Sequence, residues 1–283
     1  MQVDNIFVEE TLKYTEEKPN LQDRENEIED IFEIWEYCSQ IQERVKYSDN
    51  IWDQEVEPGV LFVEWLYSNQ GQGNEDIRRA LQELLDKQSE QIIQEQLYTE
   101  QGIERIQIGM GKYPKAVWNK KGYIECRRKI LSEIKNAEEY GEFMPSCFIN
   151  SCFAEDILSG MRGIQNFYLY AEEITRNLAV LNDEAITLYE RYHDNLNEAM
   201  RILASKLLEC SGDPRHRNSL LFPFVYEEQL NGENVARKKD ILCEPHLKLI
   251  RRNSNLRIYF WWCDSDVGKG EKVLVGRIGG HPY

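Results

Sequence analysis

Two stretches near the carboxyl end decide the fold: Leu256-Arg-Ile-Tyr-Phe-Trp-Trp262 and Glu271-Lys-Val-Leu-Val-Gly-Arg-Ile278. Both are rich in β-branched and aromatic residues, which suit a pleated, half-buried surface. Side chains alternate between the faces of a strand, so residue parity sorts them. The first stretch puts Arg257, Tyr259 and Trp261 on one side and Leu256, Ile258, Phe260 and Trp262 on the other. The second sets Leu274 and Ile278 against Glu271, Val273, Val275 and Arg277. The run Ile241–Arg251 reads as a third strand with Glu244, His246 and Lys248 on one side and Cys243, Leu247 and Leu249 on the other. Pro245 marks an edge or a bulge in it. Antiparallel pairing then gives one apolar face and one face collecting Glu244, His246, Lys248, Arg257, Tyr259, Trp261 and Arg277, with His281 and Tyr283 close by.

Working outward, residues 182–209 carry Ala185, Leu188, Tyr189, Tyr192, Leu196, Ala199, Leu203 and Leu207 at helical spacing. The spacing predicts one helix, opened by Asn182 or Asp183, running through His193-Asp194-Asn195 and stopped at Cys210–Pro214. It supplies an apolar stripe for the sheet to pack on. Leu220–Tyr226 reads as a further strand. Upstream, residues 22–45 place Ile28, Ile31, Phe32, Trp35, Cys38 and Ile41 on one helical face. Val60–Tyr67 reads as a buried strand, Asn74 as the cap of a helix bearing Ile77, Leu81, Leu84 and Leu85, and 103–108 as a short strand. Another helix is expected around Lys121–Ala137. The expected class is α+β: an acidic, mainly helical region over 1–140, then helices packed on a C-terminal antiparallel sheet over 141–283.

Charge separates the same two parts. The 283 residues hold 34 Lys+Arg against 50 Asp+Glu, a net charge of −16. Residues 236–283 are +5 and residues 1–235 therefore −21, with −12 in the first sixty. A polyanion can be drawn to the tail but not to the rest. With 41% apolar residues the chain is too hydrophobic for an acidic disordered protein. No apolar run nears the roughly 18 residues of a membrane span, and the amino end lacks the basic-then-apolar order of a signal peptide. Seven scattered cysteines read as reduced thiols of a cytoplasmic protein.

The polar face has the parts a metal-independent ribonuclease needs. A base must take the 2′-hydroxyl proton, an acid must protonate the 5′-oxygen, and fixed cations must hold the phosphate. Aromatic rings beside cations suit the unstacked bases of single-stranded RNA. The segment Arg257-Ile-Tyr-Phe, a loop, and Lys272-Val-Leu-Val-Gly-Arg-Ile-Gly-Gly-His-Pro-Tyr283 resembles the last hairpin of RelE/YoeB-like ribonuclease toxins. That resemblance implies a small antiparallel sheet with helices on one face, and mRNA cleavage with the ribosome as its setting. It implies that Arg257 holds phosphate, that His281 is acid or base, that Tyr283 matches a terminal tyrosine, and that Glu244 or His246 is the remaining proton-transfer group. The likeness covers about forty residues. His-Pro-Tyr replaces the family's His-Tyr, and the large acidic segment has no counterpart in those small basic proteins.

The expected activity is thus an endoribonuclease of toxin or defence type with RNA as partner, no cofactor and no metal. Lys248, Arg251, Tyr259, Trp261 and Arg277 are the expected nucleic-acid contacts. The acidic region is expected to dock a protein partner or restrain the basic face. The alternative is a non-enzymatic subunit that binds nucleic acid or protein. Gly109-Met-Gly-Lys112 lacks the frame of a phosphate loop, and Cys147, Cys152, Cys210 and His216 lack zinc-knuckle spacing. The basic loop Arg215-His-Arg217 offers extra phosphate contacts.

Overall fold

The computed structural model describes residues 2–18, 21–67, 75–94, 103–207, 209–212, 215–230, 232–249 and 255–283. The chain divides into two compact units, Met1–Arg127 and Arg128–Tyr283, a division earlier than the 140/141 boundary expected from composition.

The first unit holds strands β1 (Val3–Phe7), β2 (Val45–Ser48), β3 (Glu55–Glu57), β4 (Val60–Leu61), β5 (Ser89–Ile92) and β6 (Glu104–Ile108). Its helices are α1 (Glu25–Gln40), α2 (Phe62–Tyr67), α3 (Glu75–Gln88) and the start of α4 (Lys120–Glu133). Four strands form a parallel sheet in the order β5-β2-β1-β6. Parallel neighbours need a crossover, and α1 and α3 lie on the connections from β1 to β2 and from β2 to β5. The direction of winding reverses at β1, whose neighbours β2 and β6 flank it on opposite sides. Ligands of such sheets bind beyond the strand ends at that point. Here the segments that follow β1 and β6 pack closely: a Cβ on Gly109 would stand 2.7 Å from the Thr11 methyl, and Arg24 Nη1 donates to Thr11 O at 2.9 Å.

The reading of Val60–Tyr67 as a strand is corrected. Only Val60 and Leu61 pair, with β3, and then the chain turns helical. Phe62, Trp65 and Leu66 are the buried residues, a three-and-four spacing that a strand would split between faces. The Glu64 carboxylate accepts from Leu61 N at 3.1 Å and starts the helix. The expected cap Asn74 lies outside the described residues. Tyr123 and Arg127 of α4 reach a buried polar network. Tyr123 Oη donates to Asn5 Oδ1 at 2.7 Å, Cys38 Sγ donates to Tyr123 Oη at 3.3 Å, and Arg127, fully buried, grips Glu43 with both Nη atoms at 2.6 and 2.7 Å. Burial pushes the Cys38 thiol up to about 12.

The second unit continues α4 and adds α5 (Ala137–Phe143), α6 (Ile157–Arg162), α7 (Ala171–Tyr192) and α8 (Leu196–Leu207). Its strands are β7 (Ser151–Phe153), β8 (Cys210–Ser211), β9 (Leu221–Leu230), β10 (Glu233–Leu242), β11 (His246–Lys248), β12 (Arg257–Trp261) and β13 (Val273–Gly279). Five of these form a sheet in the order β7-β13-β12-β11-β8, antiparallel except where β7 joins β13. Strands β9 and β10 form a separate two-stranded ribbon. The α+β class read from the sequence holds.

Two layers sandwich this sheet. On one side Trp262 stacks on Tyr189 of α7, ring centroids 6.4 Å apart. On the other, Phe222, Phe224 and Ile241 from the ribbon bury Tyr259, Leu274 and Cys243. Gly276 permits this approach, because a Cβ there would lie 2.4 Å from the Phe222 ring and 2.8 Å from Cys243 Sγ. Burial pushes the Cys243 thiol up. The predicted single helix over 182–209 is instead two: α7 extends back to Ala171, and His193-Asp194-Asn195 is the turn before α8. Asn195 Oδ1 accepts from Glu198 N at 3.3 Å, capping α8. Asn182, expected as a cap, sits inside α7 and accepts from Asn150 N and Ser151 Oγ at 2.9 and 3.0 Å, pinning the start of β7.

Candidate active site on the C-terminal sheet

Strand register assembles the site. His246 lies opposite Tyr259, which lies opposite Arg277, while Lys248 lies opposite Arg257, which lies opposite Gly279. Cross-strand partners share a face, and Arg257 and Tyr259 follow on that face about 7 Å apart. After Gly279 the chain bends back, and His281 Nδ1 meets Tyr259 Oη at 2.8 Å. A line of rings results. Centroid separations are 5.1 Å from His246 to Tyr259, 6.4 Å from Tyr259 to His281 and 5.0 Å from His281 to Tyr283. Tyr283 in turn stacks on His216 at 3.8 Å, with 14° between the ring planes. The line runs from interior to surface: Tyr259 is 0% exposed, His246 8%, Tyr283 51%, and His216 is exposed. Three of the chain's four histidines lie on it.

The cations differ in how they are held. Arg257 is half-buried; its Nη1 donates to Leu256 O at 2.9 Å, and among the described residues it meets no carboxylate. Its Nε is buried and finds no acceptor there. Arg277 Nε donates to Gly280 O at 2.9 Å, again with no carboxylate among the described residues. Lys248, by contrast, pairs with Glu209 at 3.0 Å. Glu244 pairs with Arg217 at 3.0 Å. Ser211 Oγ lies 3.1 Å from His246 Nε2, so the edge strand β8 holds that imidazole from the adjacent cross-strand position.

Of the residues expected on this face, the structure brings together His246, Arg257, Tyr259, Arg277, His281 and Tyr283, with Lys248 beside Arg257. Glu244 is not on a strand. The expected run 241–251 is cut at Cys243-Glu244-Pro245, because Pro245 has no N–H to donate and its carbonyl instead accepts from Phe260 N at 2.9 Å. Glu244 pairs instead with Arg217 of the turn after α8. Trp261 does not join the polar set. It stays on the side of Tyr259, but there it packs, half-buried, against the apolar cluster under the ribbon; the register slip, at Gly276 of β13, instead brings Leu274 to that side. Tyr259 is on the expected face but too buried to stack a base; its hydroxyl orients His281 instead. Arg251 lies outside the described residues. Sequence reasoning gave no role to Ser211 and only a phosphate contact to His216. The signal available was that three histidines in 283 residues fall after residue 210.

Among the described residues no group of three or more His, Cys, Asp or Glu is placed to hold a metal ion, and no helix is long and apolar enough to cross a membrane. Compared with protein-family models, curated proteins and solved structures, the chain matches none.

Proposed function

We propose that the C-terminal face is the site of a metal-independent endoribonuclease of toxin or defence type. One observation carries this reading: His281, fixed through Nδ1 by Tyr259 at 2.8 Å, shares a face with two arginines that meet no carboxylate among the described residues. The bond at Nδ1 sets the tautomer of the imidazole, and Nε2 is the nitrogen assigned to proton transfer. Guanidinium groups not paired with acids suit a phosphate in fork geometry. Removing the 2′-hydroxyl proton lets that oxygen attack phosphorus, the P–O5′ bond breaks, and a 2′,3′-cyclic phosphate and a 5′-hydroxyl remain. Incubation with RNA in EDTA, followed by mapping of the cut ends, should show those termini. Arg257→Ala and His281→Ala should each abolish cleavage while part of the RNA affinity persists. Termini of another kind, or cleavage undiminished in His281→Ala, would defeat the proposal.

A second reading, a subunit that binds nucleic acid or protein without cutting, is favoured by a different observation. The two other proton-transfer candidates are already engaged, Glu244 by Arg217 and the buried His246 by Ser211. Under that reading wild type never cleaves, and substitutions at the face change affinity alone.

A further inference from the structure

Acid–base cleavage of RNA needs two proton-transfer groups, and the expected partners of His281, namely Glu244 and His246, are both held by neighbours. Glu244 is ion-paired with Arg217 at 3.0 Å. His246 is 8% exposed, lies under the Tyr259 ring, and has Ser211 Oγ at 3.1 Å from its Nε2. A group that must touch the leaving oxygen has to be reachable.

His216 is. It stands at the head of the 3-10 turn Arg217–Ser219 and is exposed. The turn is tied down: His216 O accepts from Ser219 N at 2.9 Å, Arg217 O from Leu220 N at 3.1 Å, and Leu220 O from Cys243 N at 2.9 Å. Leu220 itself is 0% exposed in the cluster under the ribbon. The imidazole is therefore carried on a fixed element, not on a loose loop. Its ring lies flat on Tyr283 at 3.8 Å, and Tyr283 also touches His281 at 5.0 Å. Two imidazoles from distant parts of the chain thus meet the same tyrosine ring. The same turn carries Arg217, paired with Glu244, and on the sheet Tyr259 holds His281.

We infer that His216 is the second catalytic imidazole, the general acid, with His281 the base; this rests on the ribonuclease reading above. The base takes the 2′-hydroxyl proton as the 2′-oxygen bonds to phosphorus. The His216 imidazolium gives its Nε2 or Nδ1 proton to the 5′-oxygen as the P–O5′ bond breaks. One proton is gained and one given, so the pair ends with its protonation exchanged and no further reactant is needed.

The test uses the full chain and two variants, His216→Phe and His281→Ala. Phenylalanine keeps a flat ring on Tyr283 but carries no proton, so loss of the stack and loss of the acid are told apart. His216→Phe should lower kcat by about 10²- to 10⁴-fold and remove the alkaline limb of the pH–rate profile. A dinucleotide with sulfur in place of the bridging 5′-oxygen leaves without protonation, and it should restore His216→Phe but not His281→Ala. His216→Phe that matches wild type on ordinary RNA, or is not restored by the sulfur substrate, overturns the role of His216 while the ribonuclease reading stands. Wild type that cuts neither substrate overturns both.

Discussion

Tyr259 shows how one residue's environment decides its role. Its ring is fully buried among Phe222, Leu274 and His246, so the hydroxyl must find a partner inside, and His281 Nδ1 is that partner. Tyr259→Phe keeps the packing and removes the bond. Stability should fall by about 0.5–1.5 kcal/mol in urea unfolding. If His281 works as proposed, kcat should drop further than that loss accounts for, with the acid limb of the pH–rate profile displaced; an unmoved limb would leave Tyr259 a packing residue only. Arg127 is the comparable case in the first unit. It is 0% exposed and bonded to Glu43 and Tyr123, so Arg127→Ala breaks a buried ion pair and leaves Glu43 with only the Asn5 amide among the described residues. The cost should be about 3–5 kcal/mol, read as a lower urea midpoint.

At the scale of elements, the sheet depends on glycines that admit close neighbours. Gly160 of α6 and Gly279 of β13 face each other: a Cβ on Gly160 would stand 2.6 Å from Ile278 O, and one on Gly279, where φ is +153°, would stand 2.5 Å from Gly160 O. Backbone cannot give way as a side-chain tip can. Gly160→Ala should destabilise the second unit by about 1–3 kcal/mol, seen as a shift in the thermal midpoint. Because β13 leads directly into His281, the same variant should impair the proposed cleavage. Much of this was legible beforehand. Parity sorted His246, Arg257, Tyr259 and Arg277 correctly because cross-strand register preserves faces. It failed at Glu244, where Pro245 cuts the strand, and at Leu274, which the bulge at Gly276 turns to the face of Tyr259; Trp261 keeps its face, but the ribbon covers it there. His216 could not be read at all as a neighbour of Tyr283, since no local period connects a turn at 216 to a segment sixty residues later. In the first unit, β1 carries Asp4 and Asn5 and shows no strand pattern, and the short strand read over 103–108 gave no hint of direction, so the parallel sheet was not legible.

For the whole molecule, acid and base respond to different groups. Burial raises the Asp183 carboxyl, but the hydrogen bonds from Arg128 and Asn182 and the Arg128 charge outweigh it and leave the pKa lowered. A lowered carboxylate stabilises the fold above its unfolded pKa and loses that contribution as pH falls through the folded value. Asp183→Asn should therefore cost stability at pH 7 and little at about pH 2, by denaturant titration at each pH. Glu9 has the opposite sign. Burial raises it, only partly offset by hydrogen bonds, with Glu10 and Asp49 adding to the rise. The charged form is penalised once pH exceeds the unfolded pKa, so Glu9→Gln should raise the thermal midpoint at pH 7 and leave it unchanged in acid. RNA affinity, if the tail binds phosphates, should fall with salt by a log–log slope of about −0.7 per contact, steeply enough to separate it from protein docking. Cys38 and Cys243, one sealed in each unit and each shielded from forming thiolate, have one more consequence. Alkylating reagents can reach neither until its own unit opens, so isotope-coded labelling along a urea series would time the two halves independently, with no dye or tag attached.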